Sequence, residues 1–142
     1  MNANIWIAPA NPKNLNASII NKITTPTGLQ HAWAMNQKHI HKFANLKVGD
    51  IVLFGNATLG YKWVATVTEK PADITGIEWP YPSPSGAPWT NVFYVDEPEE
   101  IKIALKPDNL RDILNVGATQ MSQYKLEPSA AAKVLEHIHD NI

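Results

Sequence analysis

Two His-Ile-His triplets, His39/His41 and His137/His139, are the first residues to test for chemistry, since an imidazole can ligate a metal or act as a base. Residues two apart share a face only in a strand, and both triplets fall in stretches that read as helix. A metal site would also need carboxylates or cysteines arriving from elsewhere, and the chain contains no cysteine. Surface histidines are the better reading, and no metal is expected. The run Gly55-Asn56-Ala57-Thr58-Leu59-Gly60-Tyr61-Lys62 imitates a phosphate-binding loop. That loop requires Lys directly after its second Gly, then Ser or Thr opening a helix. Here Tyr61 intervenes and a strand follows, so the motif is rejected. No serine sits in a nucleophile elbow, and Asp96-Glu97-Pro98-Glu99-Glu100 reads as a solvated acidic turn. The expectation is a binding domain with no catalytic set and no cofactor.

The remaining signal is aromatic. Trp33 stands in a polar, basic stretch beside Asn36, Lys38 and Lys42, while Trp79, Tyr81 and Trp89 lie in or beside a proline-rich loop. An indole outside an apolar run can stack on a nucleobase, contributing roughly 1–3 kcal/mol per contact. A facing pair forms a cage for an extruded base, or for a methyl group carrying partial positive charge. The alternative for each is that it caps one end of a small barrel core. Trp6 and Trp63 lie inside strands and are assigned to the core. Asn36 adds an amide that both donates and accepts.

Charge is divided along the chain. Residues 1–70 carry seven lysines against Asp50 and Glu69, a net +5; residues 71–142 carry five basic and eleven acidic residues, a net −6. The overall charge is only −1. Such asymmetry can give one basic face that gathers phosphates, with Lys38, Lys42, Lys47 and Lys62 as its expected track; scattered solvated charges are the alternative.

The element that must position these residues is Leu46 to Lys70. Ile51, Val52, Leu53 and Phe54 are apolar on both sides of the strand period, which predicts burial on both faces. Gly49 supplies a tight entry, and Gly55 to Gly60 a turn returning the chain as a hairpin. In the second strand Tyr61, Trp63, Ala65 and Val67 are expected on one face. Upstream, residues 4–8 predict a strand, and Asn14 is placed to cap a short helix carrying Leu15, Ser18 and Ile19. Thr24 to Gly28 reads as a loop; the second half of 30–42 reads as a helical turn that packs Ile40 and Phe43 inward. Pro71 to Pro88 holds five prolines and two glycines, a loop too aromatic to be plain disorder. Strands follow at 90–95 and 101–105, then a helix capped by Asp108 and a last helix from Pro128 with Ala131, Leu135 and Ile138 on one face. No apolar run approaches the roughly 20 residues that span a bilayer, and no signal segment opens the chain. The expected location is cytoplasmic, with no membrane partner. Strands around one hairpin with short helices between them predict an α+β fold, a partly closed barrel in a single domain, 1–142.

The segments IWIAPANPKNL, HAWAMNQKHIHKFANLKVGDIVLF, GYKWVATV, PWTNVFYVDEPEEIKIAL, LRDIL and KLEPSAAAKVLEHI, in that order, resemble the EVE and YTH branch of the PUA-like superfamily. The resemblance spans nearly the whole chain through its order and spacing. Trp63 departs from it, falling where a small residue is common, and the loop from Asp73 to Ser85 has no close counterpart. What the resemblance implies is a PUA-like barrel of about five to six strands with short flanking helices. It also implies a reader that flips a methylated base of double-stranded DNA, 5-methylcytosine or N6-methyladenine, into an aromatic cage. The residues that would line such a cage are Trp33, Asn36, Trp79, Trp89, Tyr81 and Asn56. Such domains serve as sensors in modification-dependent restriction, ahead of a nuclease or motor on the same chain. An RNA-binding or small-ligand PUA-like module of RNA metabolism is the alternative.

Overall fold

The computed structural model describes residues 4–35, 40–56, 58–71, 77–81, 91–106 and 124–142. At its centre β1 (Ile5–Pro9) runs parallel to β4 (Ile51–Asn56), from Ile5 opposite Ile51 to Pro9 opposite Gly55. Around this pair lie β2 (Ile23–Thr25), β3 (Gly28–Met35), β5 (Gly60–Glu69), β6 (Asn91–Val95), β7 (Glu99–Leu105) and β8 (Tyr124–Lys125). The sheet order is β2-β3-β6-β5-β4-β1-β8, with β7 paired to β5 off this path. Among the described residues its two end strands, β2 and β8, do not pair, so the mixed sheet is not closed. The α+β class is as expected, and the short end strands β2 and β8 extend the sheet beyond the five to six strands anticipated.

Both faces of the central strands are covered, which explains why their sequences are apolar throughout. One face holds Trp6, Ala8, Val52 and Phe54 with Trp33, Phe93, Ala65 and Val67 across the interior of the curve. The other holds Ile5, Ile7, Leu53, Ile101 and Leu105. That outer face is closed by α3 (Pro128–Asn141), which begins at the proline expected to open it. Its buried stripe is Ala130, Val134 and Ile138, not Ala131, Leu135 and Ile138; Leu135 is 41% exposed. Both sets have helical spacing and share Ile138, and the face packed on the sheet is the neighbouring one that carries Ala130 and Val134.

The β4–β5 hairpin forms as expected, but the alternation along β5 does not hold. Phe54 pairs with Trp63 and Gly55 with Tyr61, so Lys62 is an extra, bulged residue. Tyr61 is thereby turned to the outer face while Trp63 packs partly buried against the inner one. A side chain at Gly55 would run into the backbone of Gly60 and Tyr61, which makes glycine obligatory opposite the bulge. Gly49 (φ 96°) makes the tight entry, its N–H bonded to Val67 O at 2.8 Å.

The upstream half differs more. Thr24 to Gly28 is not an open loop: β2 and β3 form a hairpin in which Thr25 pairs with Gly28. Gln30 to Met35, to which the sequence reading gave no element, is strand; β3 runs through Trp33 and pairs antiparallel with β6. Hydrogen bonds to β6 override the polar character that argued against a core element here. A short helix, α2 (Ile40–Asn45), follows; Phe43 packs against the inner core, but Ile40 is 50% exposed. The first helix, α1 (Pro12–Asn14), is capped by Asn11, whose side chain accepts from Lys13 N. It continues as a wider π-helical turn over Leu15–Ile20, so Asn14 lies inside the helix and its side chain is available elsewhere. The expected helix after Asp108 lies outside the described residues. Within them, no helix is long and apolar enough to cross a membrane.

Candidate functional site

The parallel pair sets the location. Ala10 N donates to Gly55 O at 2.7 Å just past the end of β1, so α1 starts beside the carboxyl end of β4. Crevices at the carboxyl ends of parallel strands are where open sheets commonly hold ligands. Phe54 lies near this end, and across the interior Trp33 meets it edge-on, with ring centroids 5.5 Å apart at 75°. Trp79 in turn packs edge-on against Trp33 at 5.9 Å and 81°. Trp33 is 5% exposed, so it sits within the core despite its polar segment. Trp79 is half-buried.

Besides this packing, Asn14 ties the Trp79 segment down. Its Nδ2 donates to Tyr81 O and its Oδ1 accepts from Tyr81 N, both at 2.9 Å. The amide thus imitates a strand neighbour and clamps the 77–81 segment to α1. Asn14 is itself buried, whereas the Tyr81 side chain is 41% exposed at the rim. No signal in the sequence distinguished Asn14 beyond its candidacy as a cap, because its partner is 67 residues away.

Asn56 is the last residue of β4. Strand alternation puts it on the same face as Phe54. Its Oδ1 accepts from Thr58 N (3.0 Å) and Leu59 N (2.8 Å), fixing the hairpin turn and, with it, the orientation of the amide. Its Nδ2 is buried and has no hydrogen-bond partner among the described residues. The same holds for Trp33 Nε1 and Trp79 Nε1. Buried donors are nearly always satisfied, and leaving one without an acceptor costs about 1–3 kcal/mol. The two touching indoles, Trp33 and Trp79, thus carry two buried donors without an acceptor among the described residues.

Of the other expected site residues, Asn36, Lys38 and Trp89 lie outside the described residues. The lysines do not form one track. Lys42 and Lys47 are carried by α2 and the turn after it, and Lys47 Nζ donates to Ala44 O. Lys62 sits toward the opposite end of the hairpin on the bulge, bonded to Glu100 at 3.0 Å. A third cation joins the first group: Lys70 Nζ donates to Phe43 O and Leu46 O, at 2.6 and 2.7 Å. Burial, and then the charge of Lys47, hold the Lys70 ammonium below the ordinary lysine range, with Asp50 opposing. The described histidines are not clustered for metal: no three His, Asp or Glu come together among the described residues. His137 Nε2 bonds Ile103 O, and buried His31 is bonded through Nδ1 to Ser18 O and Asn21 O.

No protein-family model matches the chain, and no curated protein matches it either. Solved structures do resemble it. The N-terminal domain of McrB from Thermococcus gammatolerans, bound to m5C DNA, superposes with a TM-score of 0.64 at 12% identity, covering 96% of this chain and 98% of that one. The Mmi1 YTH domain in complex with RNA gives 0.63 at 11% identity, covering 97% and 79%. ASCH from Zymomonas mobilis gives 0.62 at 12%, covering 93% and 94%. At these identities the likeness is one of fold: the chain has the α+β fold of PUA-like proteins.

Proposed function

We propose that this chain is a nucleic-acid-binding module that reads a methylated base extruded from duplex DNA, held at the corner of Trp33 and Trp79. The observation that carries the reading is the Trp33 indole, 5% exposed, its Nε1 without a partner among the described residues, in contact with the half-buried Trp79 indole whose Nε1 also has none among them. Aromatic faces for stacking and donors for a base edge are the two things a flipped-base pocket supplies. Structures of the same fold hold methylated DNA and RNA, which supports a nucleic-acid partner. At 81° the two indoles do not sandwich a base, so entry requires the Trp79 ring to turn. Trp79 is the half-buried partner; it packs against the core, and its segment is bonded to the frame through Tyr81 and Asn14. Tyr81 at the rim would stack on a neighbouring base. In this reading the module binds without its own chemistry and serves as the sensor of a modification-dependent restriction system, with a nuclease or motor as its effector.

The test is a binding panel of duplex DNA and structured or single-stranded RNA, each with and without one methylated base, for wild type and Trp79→Ala. Expected are tighter binding of methylated duplex and loss of about tenfold of that preference in Trp79→Ala, the order of one stacking contact. Residual binding should be salt-sensitive and indifferent to methylation. Tighter binding of RNA than of any duplex would replace this reading with the RNA-module alternative.

A further inference from the structure

We infer that Asn14 is a positioning residue that gates this site: its bond pair to Tyr81 latches Trp79 edge-on against Trp33, and release of the pair is the opening step before binding. The inference rests on the reading above and specifies how that site is regulated. α1 and its π-helical turn hold both indoles. On the Trp33 side, the Ser18 hydroxyl accepts from Ala32 N at 3.1 Å and donates to Ala32 O, engaging both backbone groups of the residue before Trp33. One residue further back, buried His31 bonds through Nδ1 to Ser18 O and Asn21 O. β6 pairs along the same stretch, from His31 to Met35. Trp33 is thus carried on a strand fixed by β6 and by the helix together.

On the Trp79 side the helix acts through one amide. Asn14 Nδ2 and Oδ1 engage the carbonyl and the N–H of Tyr81, two residues beyond Trp79. Trp79 also packs against the inner core and against the layer of Ala32, Ala34, Val92 and Tyr94. Apolar packing is non-directional and tolerates a turned ring, whereas a paired donor and acceptor hold the backbone in one register. With the latch closed Trp33 is only 5% exposed and Trp79 lies edge-on against it, so a base reaches the Trp33 face only after Trp79 moves. The Tyr81 side chain is 41% exposed at the rim. A base that stacks there acts on the same residue whose backbone Asn14 holds.

The experiment compares wild type with Asn14→Ala, which removes both bonds, and Asn14→Asp, which keeps the acceptor and lacks the donor while its carboxyl is ionised. Indole N–H exchange is read at Trp6, Trp33 and Trp79 in the free protein. Association rates are read with duplexes carrying one 5-methylcytosine or one N6-methyladenine. In Asn14→Ala, exchange at Trp33 and Trp79 is expected to rise about tenfold with Trp6 unchanged, the order of two partly exposed hydrogen bonds. Association is expected to rise by the same factor, because more of the protein is in the binding-competent state. Asn14→Asp should follow Asn14→Ala at neutral pH. In mild acid, against wild type at the same pH, it should return toward wild type as the protonated carboxyl regains a donor. A rise shared by all three indoles overturns the inference, since Asn14 then supports the whole fold, and failure of Asn14→Ala to fold does the same. So does a rise at Trp79 without one at Trp33, or opening of both without faster association. Wild type that binds neither methylated duplex sinks the reader and the gating role with it, while faster exchange confined to Trp33 and Trp79 would still identify the latch.

Discussion

Trp6 and Trp33 are buried in the same core layer, 2% and 5% exposed, yet their indole N–H groups meet different surroundings. Trp6 Nε1 donates to Asp50 Oδ2 at 3.0 Å, and that carboxylate also accepts from Lys47 N at 2.9 Å and Asn4 N at 3.3 Å. One buried acid thus ties β1, the Gly49 turn and the start of β4 together. Trp33 Nε1 has no such partner among the described residues, and neither does Trp79 beside it. The Trp6 corner is complete as it stands. The Trp33 corner retains a donor that phenylalanine would not have exposed to this cost, and retention of that donor is what a binding role explains.

The largest effect should separate the two corners directly. Asp50→Ala strands three buried or part-buried donors and is expected to lower unfolding stability by about 3 kcal/mol or more, read by denaturant titration. Trp33→Phe removes a donor that has no partner among the described residues, so relief of that penalty offsets lost packing. Its stability change should stay within about 1 kcal/mol, with methyl preference falling. Equal losses in Asp50→Ala and Trp33→Phe would mean both corners are structural. Trp33→Ala, by contrast, should cost about 3–5 kcal/mol through its cavity and cannot isolate binding.

An intermediate effect is expected at Asn14. Asn14→Ala removes both bonds to Tyr81, for about 1–2 kcal/mol in total, since water can reach part of the released backbone. The Trp79 indole should then exchange its N–H faster and lose its contact with Trp33, whereas Trp6 N–H exchange stays slow. Unchanged Trp79 exchange would show that the 77–81 segment is held by other contacts.

How much of this was legible in the sequence follows from range. The β4–β5 hairpin, the Gly49 entry and the Pro128 start of α3 are local and were readable from period and turn chemistry. The strand at Trp33 was not, because its partner β6 lies some sixty residues on, with Phe93 opposite Trp33, and pairing outweighed local polarity. The bulge at Lys62 was equally hidden: an extra residue leaves no mark on a strand's composition, yet it moved Tyr61 to the other face. At the candidate site the aromatic residues stood out by their type. Asn14 did not, since an asparagine near a helix start reads as a cap whether or not it clamps a distant loop.

The smallest effect belongs to the Trp6 corner and tests its independence. Lys70 is held below the ordinary lysine value of 10.5 by burial first and by Lys47 second, against the attraction of Asp50. Its ammonium bonds Phe43 O and Leu46 O and lies 4.3 Å from the Phe43 ring centroid. Because the folded value is lowered, the unfolded chain binds more protons between that value and 10.5. Stability from this group therefore rises as pH climbs through that window, and the penalty for keeping Lys70 charged is fully present below it. Partial solvent access makes the slope shallow. Lys70→Met should flatten it, while Trp33→Phe should leave it unchanged, since Trp33 is at the other corner of the layer. Denaturant midpoints measured across the alkaline range decide the matter. A slope that survives in Lys70→Met would assign it to another group and detach Lys70 from the Asp50 corner.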